Sequence, residues 1–175
     1  RKIAGLLCSA ILSDTLLFRS PTCTAVDKAA ALELAEIAGV DAESLAKEMF
    51  EAGSKLKGKT DSEIFYQDFK RFTAGKLTFG VGQITSLNVE ELGKIKERLI
   101  EYIGEARNEQ KVDMMFFMMT NILEQSTELI CDGQGAEQLA ALAFHLKEGA
   151  KVVTLPGVVS RKKQLIPALM IATEQ

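Results

Sequence analysis

The chain has 175 residues and a mass of 19.1 kDa, room for one ordinary domain or one domain plus part of another. With 47% apolar and 26% charged residues it is globular in composition, which excludes a disordered or collagen-like chain. Its 21 Lys and Arg against 24 Asp and Glu give a net charge of −3, and there is no Trp and only two Tyr, so a globally basic or base-stacking nucleic-acid binder is not indicated.

Residues 3–12 are rich in Ala, Leu and Ile and read as a buried helix. Ser13, Asp14 and Thr15 interrupt that run, and Arg19 follows too soon for the ~20 apolar residues a membrane span needs. Ser20-Pro21-Thr22 marks a loop. Thr24 with Asp27 forms a capping-box pattern for a helix to about Ala38, with Gly39 at the C-terminal cap. Asp41 can cap a third helix that carries Leu45, Met49 and Ala52 at helical spacing. The Gly- and Lys-rich stretch 53–59 is a candidate linker. Thr60-x-x-Glu63 is a second capping box, opening a short helix.

From Asp68 the period changes. Asp68–Thr73 and Lys76–Ser86 read as two strands joined across Ala74-Gly75, with Leu77, Phe79 and Val81 on one face. Asn88-x-x-Glu91 caps the longest helix, to about Asn108, with Leu92, Ile95, Leu99 and Ile103 or Tyr102 inward. Met114–Leu123 suits a strand buried on both faces, and its methionines read as adaptable core filling. Thr127–Cys131 is another strand, residues 136–148 an Ala-rich helix closed by Gly149, Lys151–Leu155 a strand, Pro156-Gly157 a turn, and Leu165–Thr173 a last strand. The expected class is therefore α/β: a small mixed-sheet domain over residues 60–175, preceded by helices over 1–52 whose own covering sheet is absent from the sequence.

Few residues can carry chemistry. The three Cys are odd in number and widely spaced, without a Cys-x-x-Cys pair, which suits a reduced, cytoplasmic protein. His145 is the one histidine and reads as structural. Gly80-x-Gly82 is followed by no helix start in the right place, so it is no dinucleotide fingerprint. Asp14, at the end of an apolar element, is either a hard-metal ligand or a cap on a neighbouring turn. Ser160-Arg161-Lys162-Lys163-Gln164 is the densest positive cluster, either a solvated loop or a grip for a phosphate-type anion. Lys70 lies between aromatics on a short strand.

Three of these segments occur together, in order, in one family. Ala4 to Thr24, with its Ser13-Asp14-Thr15 core and Ser20-Pro21-Thr22, resembles the late part of the N-terminal domain of family II inorganic pyrophosphatases, of the Asp-His-His phosphoesterase type. Ser160-Arg161-Lys162-Lys163-Gln164 resembles that family's pyrophosphate grip, and Asp68-Phe69-Lys70 matches the place of a third cation. The resemblance implies that Asp14 ligates one of two transition metals, Mn²⁺ or Co²⁺. It implies that Lys70, Ser160, Arg161 and Lys162 bind pyrophosphate, which Mg²⁺ accompanies, and that Lys70, Arg161 and Lys162 act in the hydrolysis by a metal-held hydroxide. It further implies a cytoplasmic homodimer, without nucleic-acid or membrane partners, and an upstream regulatory nucleotide-binding insert as one explanation for the start at Arg1. The family's His-x-x-x-Asp-x-Asp stretch, a further Asp and the paired histidines are not in this sequence. The 175 residues by themselves are thus expected to be inactive. The alternatives are a related exopolyphosphatase or, for the chain alone, a non-catalytic anion-binding module.

Overall fold

The computed structural model describes residues 1–53, 56 and 58–174. The chain divides into two units, Arg1–Lys55 and Leu56–Gln175. Of the candidate linker 53–59, residues 54, 55 and 57 lie outside the described residues.

The first unit is helical: α1 (Lys2–Asp14), α2 (Ala25–Ala38) and α3 (Ala42–Gly53). The capping box at α2 is complete. Thr24 Oγ1 accepts from the Asp27 N–H at 3.2 Å, and the Asp27 carboxylate accepts from the Thr24 N–H at 2.8 Å. The Thr24 hydroxyl, which donates to the Asp27 carboxylate at 2.7 Å, and then the Thr24 N–H hold that carboxyl below its usual range. Gly39 ends the helix with φ +76°, a conformation that glycine adopts without steric cost. Asp41 accepts from the Ser44 N–H at 2.8 Å and opens α3. Small residues dominate the core: Cys8, Leu12, Ala31, Ala35, Ala42 and Ala46. The buried stripe of α3 is Ala42 and Ala46, one position off the expected Leu45–Met49–Ala52 line; Ala52 is exposed.

In the second unit the elements run α4 (Asp61–Phe65), β1 (Phe69–Ala74), β2 (Leu77–Ser86), α5 (Val89–Gln110), β3 (Met114–Asn121), β4 (Ser126–Asp132), α6 (Ala136–Ala143), β5 (Val152–Pro156), a π-helical turn (Arg161–Leu165) and α7 (Ile166–Ala172). Among the described residues five strands form one sheet in the order β1-β2-β3-β4-β5. Only β2 and β3 pair in parallel, and α5 supplies the long crossover that a parallel pair requires. The other neighbours are antiparallel. One sheet face carries Phe79, Val81, Phe116, Met118 and Leu129 against α6 and α7. The other carries Ile84, Met115, Phe117 and Met119 against α4 and α5. Every residue of β3 is buried, as its unbroken apolar run requires. On β2, Gly80 and Gly82 leave room for aromatic rings: a Cβ on Gly82 would meet Phe117 at 2.6 Å, and one on Gly80 would meet Phe69 at 2.7 Å.

Two expectations fail here. Residues 165–173 are helical, not a strand. Ser160 caps the π-turn by accepting from the Lys163 N–H, Pro167 stands in the first turn of α7, and Leu165, Leu169 and Ala172 are buried at helical spacing. The Ala-rich helix stops at Ala143 rather than 148, because His145 turns into the left-handed region at φ +53°. A Cβ on Gly149 would lie 2.7 Å from the Glu137 carbonyl, so the returning chain packs directly on the backbone of α6.

Candidate anion-binding site

The basic cluster is held from below by a short polar network within an apolar sheet face. Gln83 on β2, Thr120 on β3 and Thr127 on β4 project to the same side. Gln83 Nε2 donates to Thr120 Oγ1 (3.1 Å) and to the Val159 carbonyl (3.2 Å). The Thr120 and Thr127 hydroxyls are 3.0 Å apart, and Thr127 Oγ1 donates to the Val158 carbonyl at 2.6 Å. Gln164 closes the loop from within. Its Oε1 accepts from the Val159 and Ser160 N–H groups (2.9 and 3.0 Å), and its Nε2 donates to the Gly157 carbonyl at 2.7 Å. Buried polar groups satisfied in this way fix a single backbone path. Gln164 lies within the basic segment singled out in the sequence, whereas Gln83, Thr120 and Thr127 carry no such mark. The available signal was three polar residues interrupting apolar strands at positions that face one way.

Arg161 is nearly buried, 7% exposed. Its Nη1 donates to the Asp68 carbonyl (2.7 Å) and the Val81 carbonyl (3.2 Å), and its Nη2 donates to Asp68 Oδ1 (2.6 Å). The guanidinium thereby joins the basic turn to the β1–β2 hairpin, 93 residues earlier in sequence. Lys70 is exposed on β1, in register with Val81 and on the face that carries Phe72 and Ala74 toward α6 and α7. Lys162 and Lys163 are exposed, and among the described residues neither ammonium group has a hydrogen-bond or ion-pair partner; the same holds for Lys70. The turn is π-helical, so Lys162 and Lys163 do not alternate between two faces as neighbours on a strand would.

Asp14 belongs to the first unit. It is the exposed last residue of α1, and among the described residues its carboxylate has no hydrogen-bond or ion-pair partner. It is not a cap. That role falls to the buried Thr15, whose hydroxyl donates to the Ile11 carbonyl at 2.7 Å and accepts from the Phe18 N–H at 3.3 Å. Leu16, Leu17 and Phe18 then follow with φ of +49°, +52° and +65°. Three successive side-chain-bearing residues in the left-handed region cost roughly 1–2 kcal/mol each. Among the described residues no group of three or more His, Cys, Asp or Glu could hold a metal ion. The donor set present among the described residues does not fit a two-metal centre.

His145 is exposed and contributes to no site among the described residues. Cys8 and Cys131 are buried free thiols, with Cys131 pushed up to about 12 by burial. No helix among the described residues is long and apolar enough to cross a membrane.

A mixed sheet with helices on both faces and a basic turn tied to an edge hairpin defines an α/β domain. The chain belongs to the DHHA2 domain family, whose model matches residues 47–172. It is 41% identical over 169 residues to a manganese-dependent inorganic pyrophosphatase of Bacillus subtilis, covering 97% of this chain and 54% of that protein. It is 43% identical over 169 residues to a cobalt-dependent inorganic pyrophosphatase of Clostridium perfringens, covering 97% of this chain and 31% of that one. The crystal structure of a Methanococcus jannaschii protein described as a candidate family II inorganic pyrophosphatase superposes with a TM-score of 0.86 at 37% identity, over 98% of this chain and 56% of that one. The chain thus spans between about a third and somewhat over half of the length of these relatives.

Proposed function

We propose that this chain is part of an enzyme that hydrolyses inorganic pyrophosphate, and that its second unit grips the substrate through Lys70, Ser160, Arg161 and Lys162. The observation that carries this reading is the basic turn itself. Its backbone is fixed by side chains of two strands, Gln83 and Thr127, and by its own Gln164, yet it presents unpaired ammonium groups, an arrangement that suits an anion and does little for stability. The names of the relatives support pyrophosphate over longer polyphosphates, and support Mn²⁺ or Co²⁺ as the metals. In this reading Asp14 contributes one metal ligand and residues that this chain does not contain contribute the rest. The helices of residues 1–52 then belong to the metal-holding domain and residues 60–175 to the substrate-binding domain. A cytoplasmic homodimer, with or without a regulatory insert, completes the reading.

Binding of pyrophosphate to the chain, followed by calorimetry, tests it. Lys162→Ala and Lys70→Ala should each weaken binding. Arg161→Lys keeps the charge but loses the planar fork, and should cost roughly 1–3 kcal/mol. Phosphate release by the 175 residues with Mn²⁺ should be negligible, for want of metal ligands. Unchanged affinity in both lysine variants would refute the assignment.

A further inference from the structure

Asp68 is an acid where an anion is to be held, and simple electrostatics makes it unfavourable there. Its contacts give it a purpose. Its carbonyl accepts from the Gln83 N–H at 3.0 Å as well as from Arg161, so its backbone is fixed by β2. Its carboxylate side chain is 53% exposed, while that of Arg161 is 8% exposed. A guanidinium has five N–H donors in one plane. Three are used: both on Nη1, by two main-chain carbonyls, and one on Nη2, by the Asp68 carboxylate. The Asp68 carbonyl and carboxylate together take the end of the guanidinium. What is left is the Nε N–H and the second Nη2 N–H, which lie along its side and form a fork matched to two phosphate oxygens.

We propose that Asp68 is a positioning residue for anion binding: it clamps the end of the Arg161 guanidinium and so holds the side fork ready for a phosphate group. The proposal rests on the pyrophosphate reading above and names a residue that reading does not use. Asp68 stands two residues before Lys70, so the same clamp sets the basic turn against the strand that bears the third cation. Pre-orienting both cationic elements removes an ordering cost from binding.

The sign of one measurement separates this role from its competitors. Inorganic pyrophosphate is titrated into the full chain in its native form and as Asp68→Ala, Asp68→Asn, Lys162→Ala and Arg161→Lys, with the melting temperature of each ligand-free protein recorded. Asp68→Ala removes a negative charge, yet affinity should fall roughly tenfold. Asp68→Asn keeps an acceptor for Nη2 and should lose about threefold. In an Arg161→Lys background Asp68→Ala should add little, because the effect acts through the fork. Tighter binding by Asp68→Ala would make Asp68 a competitor of the anion and overturn the proposal. A lowered melting temperature with unchanged affinity would overturn it too, leaving only a structural ion pair. Should Asp68→Ala fail to fold, unchanged affinity in Asp68→Asn is the overturning result. Loss of affinity in Lys162→Ala but not in the Asp68 variants sinks this proposal alone. No pyrophosphate binding by the native chain sinks the function and the proposal together.

Discussion

The two units bury their apolar residues in opposite ways. In the second, large side chains fill both faces of a sheet: Phe65, Phe79, Phe116 and Phe117 have no exposed surface. In the first, the core is mostly Ala and Cys, while Ile3, Leu6 and Val26 are more than two-thirds exposed at 74%, 71% and 76%. Hydrophobic stabilisation scales with the area removed from water, so the second unit draws far more from its apolar residues than the first does. High apolar content is therefore a poor guide to how self-sufficient a stretch of chain is. What matters is whether an element is present for each apolar face to cover.

Substitutions can sharpen that contrast. Phe117→Ala removes a ring packed 4.7 Å from Phe65, centroid to centroid, and should cost about 3–5 kcal/mol. Both tyrosines, Tyr66 and Tyr102, lie in the second unit, so tyrosine fluorescence during urea unfolding reports that unit selectively. A middling effect is expected at Asp132. Burial opposes its ionisation, but hydrogen bonds and charge from Lys151 and Arg107 prevail and hold its carboxyl below the usual range. Asp132→Asn should cost roughly 1–3 kcal/mol at neutral pH. Because the folded-state pKa is the lower one, the stabilisation is complete above the unfolded value near 4 and is lost as pH falls through the folded value. The gap between native and Asp132→Asn melting temperatures should accordingly narrow below about pH 4. The smallest effect belongs to Leu6→Gln, within about 0.5 kcal/mol by far-UV circular dichroism. A penalty there as large as that of Phe117→Ala would break the comparison.

Much of this architecture is legible in the sequence, where the determining chemistry is local. The capping signals at Thr24, Thr60 and Asn88 each span only four residues, and each marks a helix start correctly. The strand β3 announces itself by an apolar run too short to span a membrane. Residues 165–173 mislead because a run of apolar residues has no period of its own. Pro167, which excludes a central strand and suits a first helical turn, is the local signal for the helix. The candidate site divides along the same line. The positive cluster is a local pattern, but the partner of Arg161 is 93 residues away and the polar support comes from three different strands. Only the sheet register brings those together.

The bond from Arg161 back to Asp68 also has a consequence in time. A ribosome delivers the hairpin first and the basic turn some ninety residues later, after the crossover helix and three more strands. Until then Asp68 and Lys70 exist without Arg161 and Lys162. The clamp between Asp68 and Arg161 therefore closes only after all five strands of the described sheet have been made.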